Sequence, residues 1–98
     1  MGFTHLHCHS AYSLLDGLSP PEGMILRAKE LGQSSIAITD HGYLYGALKF
    51  YKAGRDHGVK PIIGVEAYLT SDVSIKDKDN RKNNHLILLA KNKAGYKN

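Results

Sequence analysis

The feature that most constrains the fold is an alternation of short apolar segments with longer amphipathic ones. The apolar segments have the length of β-strands, and those between them carry apolar residues at helical spacing. The predicted strands cover 3–7, 35–39, 60–70 and 85–90, and the predicted helices cover 20–31 and 44–57. Strands joined by helical crossovers are typical of a parallel sheet covered by helices. The sequence therefore predicts an α/β fold.

The first predicted helix has signals at both ends. Ser19 and Glu22 have the spacing of a capping box, and Pro20 suits the first helical position. Gly32 is placed to end this helix. We therefore expect it to begin at Pro20 with Ser19 as its N-cap.

The second predicted helix has an apolar stripe formed by Leu44, Leu48 and Tyr51, and Gly58 is placed as its C-terminal cap. This stripe is expected to cover the sheet. Five aromatic residues are expected to pack against the fold, and this reading is favoured over platforms on which nucleic-acid bases stack. The residues concerned are Tyr12, Tyr43, Tyr45, Phe50 and Tyr51.

Composition limits the class of protein. A chain of 98 residues with 42% hydrophobic and 22% charged residues suits one small domain. Its net charge of +4 is mild, and its densest basic group, in 76–82, is interrupted by acidic residues, which favours a solvated loop over a nucleic-acid arm. Cys8 alone cannot form an internal disulfide. No targeting segment or apolar run of about 18 residues is present, so we expect a cytoplasmic protein without a membrane partner.

Three alternating histidines carry the strongest chemical signal. His5, His7 and His9 end the first predicted strand, and side chains two apart on an extended segment point to the same face. A single histidine is more often a core or surface residue than a ligand. The triple spacing favours imidazoles that converge on a metal ion.

Further candidate ligands lie in or beside the predicted strands. Asp16 follows the first strand, Asp40 and His41 follow the second, Glu66 lies within the third and His85 opens the fourth. In a parallel α/β fold, residues at the carboxyl ends of strands meet on one rim. Taken singly, each has a simpler reading, such as a turn residue, a cap or a partner for a lysine. His85 opens the last predicted strand, and its place on the rim depends on a strand direction that the sequence leaves open.

The donor atoms of this set are nitrogens and oxygens. Several histidines with carboxylates suit zinc or manganese, with iron as a further candidate, whereas calcium and magnesium favour oxygen alone. Two or more such ions close together can promote the hydrolysis of a phosphate ester. The residues predict a multinuclear phosphoesterase site and do not select its substrate.

Nine segments in order resemble the PHP (polymerase and histidinol phosphatase) domain of the DNA polymerase III alpha family. They are 5–10 (HLHCHS), 12–17 (YSLLDG), 39–42 (TDHG), 46–47 (GA), 50–53 (FYKA), 60–66 (KPIIGVE), 85–86 (HL), 89–92 (LAKN) and 95–98 (GYKN). The resemblance covers essentially the whole chain. It departs at Tyr43, where an asparagine is common in the family.

The resemblance implies that residues 1–98 are the N-terminal part of a PHP domain, with the first three to four strands of a distorted (β/α)7 barrel and their helices. The implied metal ligands are His7, His9, Asp16, His41, Glu66 and His85. His5 and Asp40 are expected to support these ligands from behind, and the family's remaining ligands are expected beyond residue 98.

The resemblance also implies a function. A full-length protein of this family is a DNA-directed DNA polymerase that acts in DNA replication, with DNA and other replicase subunits as partners. Its PHP domain is expected to be a metal-dependent 3′–5′ exonuclease. The 98-residue chain alone is expected to be inactive and to associate through open sheet edges.

Two alternatives remain open from the sequence. One is a free-standing PHP phosphatase that acts on small phosphate esters such as histidinol phosphate. The other is a domain that binds metal only to stabilise a larger polymerase. Segments 12–17 and 50–53 favour the polymerase branch over the free-standing phosphatase.

Overall fold

A computed structural model describes residues 2–13, 17–69 and 84–98. The elements are α1 (Pro21–Glu30), β1 (Ser35–His41), α2 (Ala47–His57), β2 (Lys60–Leu69), β3 (Asn84–Leu89) and α3 (Lys93–Lys97). The three described strands form one sheet in the order β1-β2-β3. The predicted α/β class is confirmed.

Strand direction agrees with the prediction for β1 and β2, and the structure gives the direction of β3, which the sequence left open. β1 and β2 are parallel, with Ser35 opposite Lys60 and His41 opposite Glu66. β3 is antiparallel to β2. Parallel neighbours need a crossover, usually a helix, and the sequence between β2 and β3 lacks the apolar period of one. The antiparallel direction places the start of β3 at the edge where β1 and β2 end.

The segment predicted as a first strand, 3–7, is not a regular strand. It runs beside β1, where the amides of Ala37 and Thr39 donate to the carbonyls of His5 (2.9 Å) and Cys8 (2.7 Å). These acceptors are three residues apart, whereas the donors are two apart. A regular ladder requires equal spacing on both segments, so pairing is limited to these two bonds.

The N-terminus of α1 corrects the predicted cap. The helix begins at Pro21, and its N-cap is Pro20, which has no side-chain hydrogen bond to offer. The carbonyl of Ser19 instead accepts a hydrogen bond from the amide of Ala11 at 2.8 Å. The side chain of Glu22 lies 3.2 Å from His57 on α2, so it links the two helices.

The C-terminus of α1 agrees with the prediction. Gly32 follows the last turn with a φ of +74°. Its amide donates to Lys29, and the amide of Gln33 donates to Ala28, at 3.0 and 2.9 Å. This pair of bonds is a Schellman motif, which requires a left-handed residue at the position of Gly32.

Exchanging glycine for alanine at two positions near α1 is expected to have opposite effects. Gly32→Ala should lower the free energy of unfolding by about 1 kcal/mol, because a Cβ disfavours positive φ. Gly23→Ala should raise it by about 0.5–1 kcal/mol, because Gly23 is inside the helix and an added Cβ would make only ordinary contacts with Pro20 at 3.5 and 3.9 Å. Urea unfolding of both variants measures the difference, and equal shifts would contradict the assigned cap.

The hydrophobic core lies between the two long helices and the sheet. Its largest fully buried side chains are Phe50, Ile25 and Ile38, from α2, α1 and β1. The cluster as a whole consists of Met24, Ile25, Ala28, Ile36, Ile38, Phe50, Ala53 and Val59. Cys8 is partly buried and packs against this cluster.

The buried face of α2 is not the predicted one. Leu44, Leu48 and Tyr51 are exposed, whereas the buried residues of the helix are Ala47, Phe50, Ala53 and Gly54. A Cβ on Gly54 would lie 2.8 Å from the Pro61 ring, so α2 lies very close to β2 at this point. Small residues permit this approach, and the face with larger residues turns outward.

The described helices include none that could span a membrane.

Candidate metal centre

A buried carboxylate marks the edge where β1 ends and β3 begins. Glu66 on β2 lies opposite His41 of β1 and Ile87 of β3, and only 3% of its side chain is exposed. His85 lies at the same edge, because β3 runs antiparallel to β2 and His85 pairs with Tyr68 near the end of β2. The edge thus brings together residues that are far apart in the sequence.

Four imidazoles surround this carboxylate. Oε2 of Glu66 lies 3.1 Å from Nε2 of His7, 2.5 Å from Nε2 of His9 and 3.5 Å from Nδ1 of His41. Oε1 lies 2.5 Å from Nδ1 of His85. The His9 and His41 rings are also close to each other, with centroids 4.0 Å apart.

The structure therefore brings together five of the predicted ligands. Asp16 lies outside the described residues. His5 packs edge-on against Phe3, with ring centroids 4.7 Å apart, and it is not in the group that His7, His9 and Glu66 form. Of the three alternating histidines, His7 and His9 lie at the site and His5 does not.

Three of these imidazoles, His7, His9 and His41, also change the pKa of Glu66. Burial alone would raise the pKa of this carboxyl, but the hydrogen bond from His7 and the charges of His41, His9 and His7 outweigh burial and lower the pKa. The imidazoles cover Glu66 only partly against solvent, because the His7 and His85 side chains are each 55% exposed. Glu66 is therefore ionised, and one side of the group is open to solvent.

Asp40, predicted as a supporting residue, is buried directly behind this group. Its Oδ1 accepts hydrogen bonds from the amide of Ser10 (2.6 Å) and the hydroxyl of Ser13 (2.8 Å). Its Oδ2 accepts one from the hydroxyl of Ser10 at 2.7 Å. Three donors on one buried carboxylate fix the 10–13 segment to the end of β1.

Ser13 links this buried carboxylate to the imidazoles. Its hydroxyl hydrogen goes to Asp40, so its oxygen can only accept from Nδ1 of His9 (3.2 Å) and the amide of His41 (3.0 Å). His9 therefore carries a hydrogen on Nδ1, and Nε2 is the ring nitrogen that faces Glu66. Such an outer partner sets the tautomer of a metal-binding histidine. The sequence reading missed Ser13, although a serine four residues after His9 in a short loop was the available signal.

Asp40→Asn is expected to destabilise the chain by about 1.5–3 kcal/mol. An amide has one acceptor oxygen for three donors and no charge to strengthen these bonds. Thermal unfolding of the metal-free chain measures the loss. Asp56→Asn is the matched control, because Asp56 is exposed on α2 and should change stability by less than about 0.5 kcal/mol. Equal stability of the two variants would contradict the role of Asp40.

The donor set fits a divalent metal ion. Nε2 of His7 and Nε2 of His9 lie 3.2 Å apart, and one ligand atom from each of His7, His9 and Glu66 lies within 4.8 Å of the others. Imidazole nitrogens with a carboxylate oxygen are the ligands that zinc and related transition metals prefer. The open side of the group would leave room for a substrate.

The prediction that aromatic residues pack against the fold is wrong for four of the five. Tyr43 and Tyr45, on the rim beyond β1, are 60% and 68% exposed, and Tyr12 and Tyr51 are exposed as well. The rings of Tyr43 and Tyr45 are parallel within 3°, with centroids 4.9 Å apart. Phe50 does pack in the core, as expected.

The sequence matches the PHP domain over residues 5–98. Among curated relatives, DNA polymerase III subunit alpha of Helicobacter pylori is 48% identical and that of Borreliella burgdorferi is 54% identical, each over 98% of this chain. The chain spans only 8% and 9% of the length of these two relatives.

Solved structures show the same fold. An amidohydrolase from Chromobacterium violaceum, with bound sulfate and no metal, has a TM-score of 0.68 and 28% identity over 89% of this chain and 27% of its own. A protein from Bifidobacterium adolescentis, assigned as a metal-dependent phosphoesterase, has a TM-score of 0.65 and 25% identity over 86% and 26%. Divalent metal binding is consistent with these similarities and with the geometry of the site.

Proposed function

This chain belongs to the PHP domain family, and on that premise we propose that it is the N-terminal part of the PHP domain in a bacterial DNA polymerase III alpha subunit. The observation that carries the proposal is the buried Glu66 with four imidazoles around it, in a chain that is 45–54% identical to these subunits. The proposed partners are DNA and the other replicase subunits in the cytoplasm.

The proposed metal ligands are the five residues at this edge together with one from outside the described residues: His7, His9, His41, Glu66, His85 and Asp16. Six donors exceed the four that one tetrahedral zinc ion takes, which supports a site for more than one ion. Zinc or manganese suits these ligands best, with iron as the further candidate. Asp40 holds the ligands from behind through Ser13. The His5 side chain is exposed and packs against Phe3.

The proposed reaction is hydrolysis of the phosphodiester at a DNA 3′ end. Metal ions held here would supply Lewis-acid stabilisation of a phosphoryl group. The chain's own residues would hold these ions, because Glu66 contacts every imidazole of the group and Ser13 orients the His9 ring through Nδ1. His7 and His85 border the open side, from which a strand end can approach.

Two other functions compete with this one. A free-standing phosphatase is disfavoured because the phosphoesterase and amidohydrolase structures are 25% and 28% identical to the chain, well below the polymerase subunits. A domain that binds metal only for stability would use the same ligands. Activity assays must distinguish these two functions from the proposed hydrolysis at a DNA 3′ end.

The test is a metal titration of the full-length gene product, followed by a 3′-exonuclease assay on primers with mismatched ends. We expect bound metal and cleavage to be lost together in the double variant His7→Ala/His9→Ala. Polymerase activity on matched primers serves as the control for folding. Metal binding without cleavage would identify a structural domain, and turnover of small phosphate esters without any effect on DNA would identify a phosphatase.

A further inference from the structure

The loop between β1 and α2, residues 42–46, is fixed to the candidate metal centre at both ends. At one end, the amide of Gly42 donates to the carbonyl of Glu66 at 3.0 Å. At the other end, Gly46 is buried against the hydrogen-bonded side chains of Asp40 and Ser10. A Cβ on Gly46 would lie 2.9 Å from Oδ2 of Asp40 and 3.1 Å from Oγ of Ser10. The position of this loop is therefore determined by the site itself.

Two tyrosines project from this loop with their rings outward. Tyr43 and Tyr45 form a parallel pair with centroids 4.9 Å apart, although both side chains are mostly exposed. Tyrosines that only fill a core bury their rings. This pair leaves aromatic faces available to a flat ligand, and pairing of the two rings restricts their rotation. A rigid aromatic surface loses little conformational entropy when a ligand stacks on it.

The pair lies within a nucleotide's reach of the metal centre. Tyr43 is two residues from His41, so their Cα atoms are at most about 7 Å apart. Exposed aromatic rings on which bases stack are one component of single-strand recognition, together with a positively charged groove.

We propose that Tyr43 and Tyr45 form a stacking platform for an unpaired base at the end of a nucleic-acid strand whose phosphate lies at the metal centre. This inference rests on the proposed function and deepens it by naming the part of the substrate that the loop recognises. Stacking on a ring face tolerates every base. The platform would therefore select a terminal nucleotide for being unpaired, not for its sequence.

The test uses the full-length protein and a single-stranded DNA with 2-aminopurine at its 3′ end and a phosphorothioate at the last linkage. Stacking quenches 2-aminopurine, so fluorescence reports the platform whether or not cleavage occurs. Tyr43→Leu/Tyr45→Leu should lose the quenching and bind the strand end roughly 5- to 100-fold more weakly. Tyr43→Phe/Tyr45→Phe keeps both rings and should behave as the wild type.

A strand with an abasic 3′ end separates stacking from a general loss of structure. It should bind the wild type more weakly by the same factor, and it should bind the leucine variant and the wild type equally. Quenching and affinity that are unchanged in the leucine variant would overturn the platform. The proposed function fails in a different way, through an absence of 3′-end cleavage by the wild type on ordinary DNA.

Discussion

Glu66→Gln is expected to lower the affinity of the chain for Zn²⁺ or Mn²⁺ by more than about 100-fold. Loss of an outer partner of a metal ligand already costs roughly 10- to 100-fold. Glu66 has a larger role, because its two oxygens contact all four imidazoles of the group. Glutamine keeps the shape and removes the only negative charge that these contacts share. Competition with a fluorescent chelator measures the affinity of both proteins.

Glu30→Gln is the matched control for this experiment. Glu30 is exposed on α1 and forms a surface ion pair with Arg27 at 3.1 Å, so its loss should leave metal affinity unchanged. Both variants should be checked for folding by circular dichroism. Metal affinity of Glu66→Gln equal to that of the control would mean that Glu66 is not a ligand, and the proposed site would then have to be abandoned.

Sequence patterns predicted the part of the site that depends on strand ends. His41 follows and Glu66 lies within a predicted strand with a clear apolar run, and parallel pairing of β1 with β2 places the two residues opposite each other. His7 and His9 were found by their alternation, which requires only an extended backbone and not a regular strand. Local rules were sufficient wherever backbone conformation alone decides where a side chain points.

The position of His85 could not be obtained in this way. Its place at the candidate metal centre depends on the antiparallel pairing of β3 with β2, and strand direction is a property of the sheet and not of one segment. Ser13 was missed for a similar reason. Its role arises from simultaneous contacts with Asp40, His9 and His41, which come from separate parts of the chain.

The faces of α2 show the limit of hydrophobicity as a guide. The stripe of Leu44, Leu48 and Tyr51 consists of large side chains, whereas the stripe that is buried has small residues beside Phe50. Burial is decided by how closely the helix can approach β2, and Gly54 against Pro61 permits a short distance. A pattern of large apolar residues shows which side chains could be buried. Which face of the helix is buried depends on how well that face packs against the sheet.

Phe50→Ala is expected to have the largest effect on stability, a loss of about 3–5 kcal/mol in the free energy of unfolding. The ring is fully buried among residues from both helices and β1, so alanine would leave a cavity that rigid neighbours cannot fill. Small domains are stable by only about 5–15 kcal/mol, so much of the metal-free chain should unfold at moderate temperature. Thermal and urea unfolding followed by circular dichroism measure the loss.

Leu48→Ala on the same helix is the control, because the Leu48 side chain is 64% exposed and its loss should cost less than about 1 kcal/mol. Metal provides a second check on the same variants. An ion that binds only the folded chain stabilises it by mass action, so saturating Zn²⁺ should restore part of the stability that Phe50→Ala loses. A loss in Phe50→Ala no greater than in Leu48→Ala would contradict the assigned core. Without any gain from Zn²⁺ in either variant, metal binding would be independent of the folding of this chain, and the buried Glu66 would need another explanation.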